Sequence, residues 1–199
     1  AVTGVQTCAL PIYRAAALVT GFKQVAVDQT SSHRREFDLG SVVSEILVTL
    51  NPGLRKTRCS VSTRVETGLL MDSYPGPLGQ VLTNLINNAV VHGFDTDEIG
   101  KIEVQAWAAD SHTVIIEVRD SGQGIAQEHL HRLFEPFFTT RLGHGGSGLG
   151  LHIVHNLVHS VLGGRIDVHS RPGAGATFTL TIPMRAPERL ESAIPITVG

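Results

Sequence analysis

Residues 143–150, Gly-His-Gly-Gly-Ser-Gly-Leu-Gly, place five glycines in eight positions. No helix or strand runs through such a stretch, since each glycine in a regular element costs roughly 0.5–1 kcal/mol relative to alanine. The chain must therefore loop here, and it regains a regular pattern at once: residues 149–161 carry apolar side chains at helical spacing. A glycine loop that feeds a helix makes an anion site, because its N–H groups can turn toward a phosphate and the helix N-terminus adds partial positive charge. Gly143, Gly145 and Gly148 also satisfy the G-x-G-x-x-G spacing of dinucleotide sites. That fingerprint directly follows a buried strand, whereas Glu135-Pro136-Phe137-Phe138-Thr139-Thr140-Arg141 precedes the glycines here. A P-loop is excluded by the lack of Gly-Lys-Ser or Gly-Lys-Thr. Taken alone, the segment reads equally as a flexible surface loop.

The rest of the sequence asks for one ordinary core. A chain of 199 residues, 42% hydrophobic and 17% charged with net charge −2, is globular and carries no field that points to nucleic acid or a membrane. No apolar run approaches the roughly 18 residues of a spanning helix, and no basic region opens a signal peptide. The domain is expected in the cytosol. The two cysteines, Cys8 and Cys59, lack metal-site spacing, and Cys59 alternates with Val61 and Val65 as a small core residue.

Residues 1–12, AVTGVQTCALPI, have no apolar period and resemble the read-through translation of a sequencing adapter, so they are set aside as non-native. Within 13–30, Leu18, Phe22 and Val25 form one helical face, and the polar 31–37 is a linker. Asp38 caps a helix whose apolar face ends at Asn51-Pro52-Gly53. A strand over 58–65 and an amphipathic helix over 77–92 come next. Alternating residues predict two hairpins, 102–106 with 114–118 and 165–168 with 176–182, and residues 128–134 form a short helix. The sum is an α+β fold, a two-layer sandwich with a mixed or antiparallel sheet covered by helices on one face, preceded by a single amphipathic helix. Residues 38–185 form the main domain and 186–199 a loose tail.

Two features could carry chemistry beside the glycine loop. Asn84 and Asn88 lie one turn apart on the long helix, adjacent to its apolar stripe. Asparagine is a poor helix former, and an unbonded buried amide costs roughly 1–3 kcal/mol, so the pair either faces a cleft or bonds a neighbouring loop. An amide oxygen in a cleft suits Mg²⁺ that takes phosphates as its other ligands. Asp120 ends a strand before Ser-Gly-Gln-Gly, where a carboxylate can accept from an exocyclic amine or simply close a turn.

Order and combination decide between these alternatives. LTNLINNAVVHG, DSGQGI, LFEPFFTTR, GHGGSGLGL and GAGATF succeed one another as the ordered boxes of a known family. Over residues 37–184 the chain resembles the ATP-binding (Bergerat-type) domain of sensor histidine kinases, in the gyrase, heat-shock-90, histidine kinase and MutL superfamily. The helix over 13–30 resembles part of the second dimerisation helix of the same kinases.

The resemblance implies ATP and Mg²⁺ as cofactors. Asn88 would coordinate Mg²⁺ and Asn84 would sit beside the γ-phosphate. Hydrolytic relatives place a glutamate at that second position, so an amide implies transfer to a protein acceptor. Asp120 would bind the adenine amine, with Gly122 and Gly124 shaping the pocket and Thr177 supporting the same end. Phe134, Phe137 and Phe138 would anchor a lid. Thr139, Thr140, Arg141, Gly145, Gly146, Ser147, Gly148, Leu149 and Gly150 would line the triphosphate. Arg141 also reads as a solvated surface residue. Val91 and His92 depart from the family, which often has a basic residue and a tyrosine after the asparagine box.

The family's acceptor histidine lies on a first dimerisation helix that would precede residue 13. His33, His152, His155 and His159 read as surface or packing residues. The expected partners are the phosphoacceptor helix of a homodimeric parent and the receiver domain of a response regulator, with no nucleic acid and no membrane contact by this piece. The parent itself could be anchored in the inner membrane. A nucleotide-gated interaction module without phosphotransfer is the alternative.

Overall fold

In the computed structural model of the protein, residues 33–95, 98–140 and 148–188 are described. The segments expected over 1–12 and 13–30, the loop residues 141–147 and the tail from residue 189 lie outside them.

Strand β1 (Arg35–Asp38) leads into helix α1 (Leu39–Leu54), where Asp38 Oδ1 accepts from the Ser41 N–H at 2.8 Å and caps the first turn. The helix does not stop at Asn51-Pro52-Gly53 but includes them. Proline costs this last turn one hydrogen bond, to the carbonyl of Val48, and Val48 is 72% exposed, so water can take that carbonyl. Residues 35–37, expected in a linker, pair instead as β1 antiparallel with β3 (Leu70–Ser73), opposing Phe37 to Met71. These four-residue strands hold too few apolar positions to show a period. The ribbon is clamped from outside its pattern: the Arg34 guanidinium donates twice to Asp72, at 2.8 and 2.6 Å.

Helix α2 (Pro75–Asn88) starts with proline at its first position, where no intrahelical N–H is needed. Leu78, Val81, Leu82, Leu85 and Ile86 are all at most 1% exposed. The sequence places one helix over 77–92, but the regular part ends at Asn88 and the chain continues as a π-helical turn, Ala89–Gly93. Such wide turns occur frequently at functional sites.

The main sheet has the order β2-β4-β5-β7-β6, built from β2 (Ser60–Val65), β4 (Lys101–Ala108), β5 (Thr113–Asp120), β6 (Arg165–Ser170) and β7 (Ala176–Pro183). Only β2 and β4 run parallel, so the sheet is mixed and both expected hairpins are present. Ile102, Val104, Ala106, Val114, Ile116, Val118, Phe178, Leu180 and Ile182 point to one face and are buried. Alternate residues such as Glu103, Gln105, Glu117 and Arg119 occupy the other. Helix α2 and helix α4 (Gly150–Ser160) pack side by side over the apolar face, giving the expected α+β two-layer sandwich. The short helix after β5 spans only Gln127–Leu130 (α3). The start of the expected tail is not loose: Ala186 is buried, its N–H donates to the Asp72 carbonyl, and Tyr74 Oη donates to the Pro187 carbonyl at 3.2 Å.

Candidate nucleotide-binding site

A cavity of about 470 Å³ opens between α2, the π-helical turn, the loop after β5 and the first turn of α4. Its size is that of a small-molecule site. Asn84, Asn88, Asp120, Gly124, Thr139, Thr140, Gly148, Leu149 and Gly150, distant in sequence, line one space. Arg141, Gly145, Gly146 and Ser147 lie outside the described residues.

Asp120 forms one polar pole. It is the last residue of β5 and only 6% exposed. The N–H groups of Gly122 and Ala176 donate to the same oxygen, Oδ1, at 2.9 and 3.3 Å. Oδ2 is thereby left for a ligand. Burial pushes the Asp120 carboxyl above the usual carboxylate range, while the two N–H groups pull it back.

Glycines make this pole possible by close backbone approach. A Cβ on Gly122 would meet the Gly93 carbonyl oxygen at 2.1 Å, and one on Gly175 would meet the Asp120 carbonyl oxygen at 2.0 Å. Gly122 thus does not line the cavity but locks the loop onto the π-helical turn. Two further bonds seal that seam: the Gln123 N–H donates to the Gly93 carbonyl at 2.8 Å, and Gln123 Nε2 donates to the His92 carbonyl at 2.6 Å.

The second pole is built by α2 and α4. Among the described residues, the Nδ2 atoms of Asn84 and Asn88 are buried without a hydrogen-bond partner. Both side chains converge on Gly150 at the start of α4: the position of a Gly150 Cβ lies 3.6 Å from Asn88 Oδ1 and 3.9 Å from Asn84 Oδ1. Two unsatisfied amides beside a helix N-terminus suit a hydrated cation and its phosphates, since half a rotation turns either amide from donor to acceptor.

Thr177 does not belong to the site. The β5–β7 register sets Thr177 opposite Arg119 and Val118 opposite Phe178, so Thr177 faces away from the cavity while Ala176 and Phe178 line it. Strand alternation in Ala176-Thr177-Phe178, with Phe178 taken as core, already contains this answer. The apolar walls, Ile125, Leu133, Ile153 and Phe178, are not among the site residues expected from the sequence. Nothing in their local sequence distinguishes a cavity wall from core.

A helix-covered mixed sheet with a buried aspartate at one end of a cavity and paired amides at a helix N-terminus defines a nucleotide-binding domain. The chain belongs to the family described as histidine kinase-, DNA gyrase B- and HSP90-like ATPases, which matches residues 74–186. It is 40% identical over 122 residues to the autoinducer 2 sensor kinase/phosphatase LuxQ of Vibrio harveyi, a match covering 57% of this chain and 14% of that protein. The chain thus spans about a seventh of the length of this relative. Its fold superposes on the nucleotide-free catalytic domain of histidine kinase ThkA with TM-score 0.67 and 28% identity, covering 77% of this chain and 97% of that one. The ThkA chain solved in complex with the response regulator protein TrrA matches at TM-score 0.66 and 27% identity, over 85% of this chain and 49% of that chain. Among the described residues, no helix is long and apolar enough to cross a membrane.

Proposed function

We propose that this chain is the ATP-binding catalytic part of a two-component sensor histidine kinase, transferring the γ-phosphoryl group of ATP to a histidine on a dimerisation helix. The observation that carries this reading is the pairing of the two poles: the Asp120 carboxylate at one, the orphaned amides of Asn84 and Asn88 against Gly150 at the other.

Asp120 Oδ2 accepts from the adenine amine, a contact to a charged group of about 1.5–3 kcal/mol. Asn88 holds Mg²⁺, which neutralises phosphate charge when bound. Asn84 stands beside the γ-phosphate and, as an amide, cannot act as general base for water. Thr139, Thr140 and the N–H groups of Gly148, Leu149 and Gly150 face the triphosphate, and the glycine segment with Arg141, Gly145, Gly146 and Ser147 completes that end. In the transfer the bond from the γ-phosphorus to the bridging oxygen breaks, a phosphorus–nitrogen bond to the histidine forms, and ADP leaves. An aspartate on a response regulator receiver domain then takes the phosphoryl group. The ThkA complex with TrrA is a precedent for that partnership. In the parent we place this domain at the cytoplasmic end, with residues 13–30 as the second helix of the dimerisation hairpin.

The test adds a matching dimerisation hairpin in trans. Labelled γ-phosphate on its histidine is the expected result. Tight Mg·ATP binding with no transfer would favour a nucleotide-gated interaction module instead.

A further inference from the structure

Helix α4 carries histidines at 152, 155 and 159, all on one face, behind the wall of the cavity. His152 is committed. A carbonyl only accepts, so the 3.0 Å contact of His152 Nδ1 with the Phe134 carbonyl requires Nδ1 to carry the proton, and Nε2 then accepts from Asn156 Nδ2 at 3.1 Å. His155 and His159 differ. They stand one turn apart on a regular helix, and their ring centres are 4.4 Å from each other at a tilt of 46°. His159 is exposed and makes no hydrogen bond or ion pair among the described residues.

We propose that His155 and His159 form a two-imidazole site for a late first-row divalent cation of the zinc or copper kind. Imidazole nitrogen suits these metals, and histidines four apart on a helix present both rings to one ion. Nitrogens of rings this close can each reach a common ion at the usual zinc–nitrogen distance of about 2.0–2.1 Å. Coordination also requires neutral rings. No group of three histidine, cysteine or acidic side chains converges here among the described residues, so water fills the remaining positions and the ion exchanges freely.

The site has a mechanical neighbour. The His155 ring also packs on Phe134, 5.3 Å between centres, and His152 holds the Phe134 carbonyl. Phe134 starts the segment that ends at Thr139 and Thr140 in the cavity wall. An ion on His155 and His159 therefore fixes the ring that supports this wall.

Isothermal titration of the whole chain with Zn²⁺, free of Mg²⁺ and nucleotide, tests the site independently of any kinase activity. Wild type is expected to bind, His159→Ala to weaken binding at least tenfold, and His169→Ala, on the open face of the sheet, to leave it unchanged. His159 is exposed, so its replacement leaves the fold intact. No uptake by wild type, equal affinity in wild type and His159→Ala, or equal loss in His169→Ala would each overturn the proposal.

Discussion

Phe137, ahead of the glycine segment, and Gly148, within it, meet backbone to backbone, so closely that a Cβ on Gly148 would stand 2.5 Å from the Phe137 carbonyl carbon. Both residues are left-handed, at φ 65° and 68°, and Phe137 is the only described residue other than glycine with positive φ. A left-handed conformation costs an L-residue about 1–2 kcal/mol, so Gly148→Ala adds strain and a clash with backbone that cannot rotate away. The clash lies in the cavity wall, which Gly148 lines, rather than in the core. The variant is expected to keep its circular dichroism spectrum and lose at least tenfold in Mg·ATP affinity by calorimetry.

Asp120→Asn separates the two jobs of that carboxylate. The amide oxygen can still accept from Gly122 and Ala176, but the other end changes from acceptor to donor and meets the adenine amine with like polarity. A loss of 1.5–3 kcal/mol is about tenfold to over a hundredfold in affinity. Unchanged affinity would move adenine elsewhere.

The same substitution should help the empty protein. Burial raises the folded-state affinity of the Asp120 carboxyl for its proton. Its favourable contribution is therefore fully present below the unfolded value of about 3.9 and lost as pH rises through the higher folded value. At neutral pH the buried anion destabilises. The melting temperature of Asp120→Asn without nucleotide should exceed that of wild type at pH 7, and the gap should narrow toward acid pH.

Asn88→Ala removes a buried amide whose Nδ2 has no partner among the described residues. Such a group costs about 1–3 kcal/mol, so its loss offsets the packing it gives up, and the melting temperature without ligand should hold or rise. Ligand at a hundred times its dissociation constant stabilises by about 2.7 kcal/mol. That gain should appear on adding Mg·ATP to wild type and vanish in the variant. An equal thermal shift in both would remove Asn88 from the site.

These residues also show what the sequence made legible. Asn84, Asn88 and Asp120 stood out because each breaks a local rule: polar groups beside an apolar helical stripe, a carboxylate at the buried end of a strand. The hairpins were readable because their inward residues alternate without a gap. Strands β1 and β3 were not, since Arg34 and Asp72 hold them across 38 residues of sequence rather than by any pattern within them. The π-helical turn was hidden for a similar reason. Ala89 and Val90 continue the helical spacing of α2, and only tertiary bonds from the Asp120 loop to the His92 and Gly93 carbonyls mark where the backbone widens.

Those bonds make Gly122 the strictest position in the site. Its φ is not left-handed, so alanine there carries no intrinsic backbone penalty; the obstacle is the Gly93 carbonyl oxygen, 2.1 Å from the new methyl carbon. Relief requires the loop to lift off the π-helical turn, breaking the Gln123 bonds and carrying Asp120 with it. Gly122→Ala is expected to abolish measurable Mg·ATP binding and to lower the melting temperature. Gly53→Ala supplies the contrast, since nothing lies within 4 Å of a Cβ there and the site is in helix α1. Alanine should stabilise that helix by about 0.5–1 kcal/mol and leave nucleotide affinity unchanged. If Gly122→Ala bound Mg·ATP as tightly as Gly53→Ala does, the seam between the two loops would have no part in holding the nucleotide.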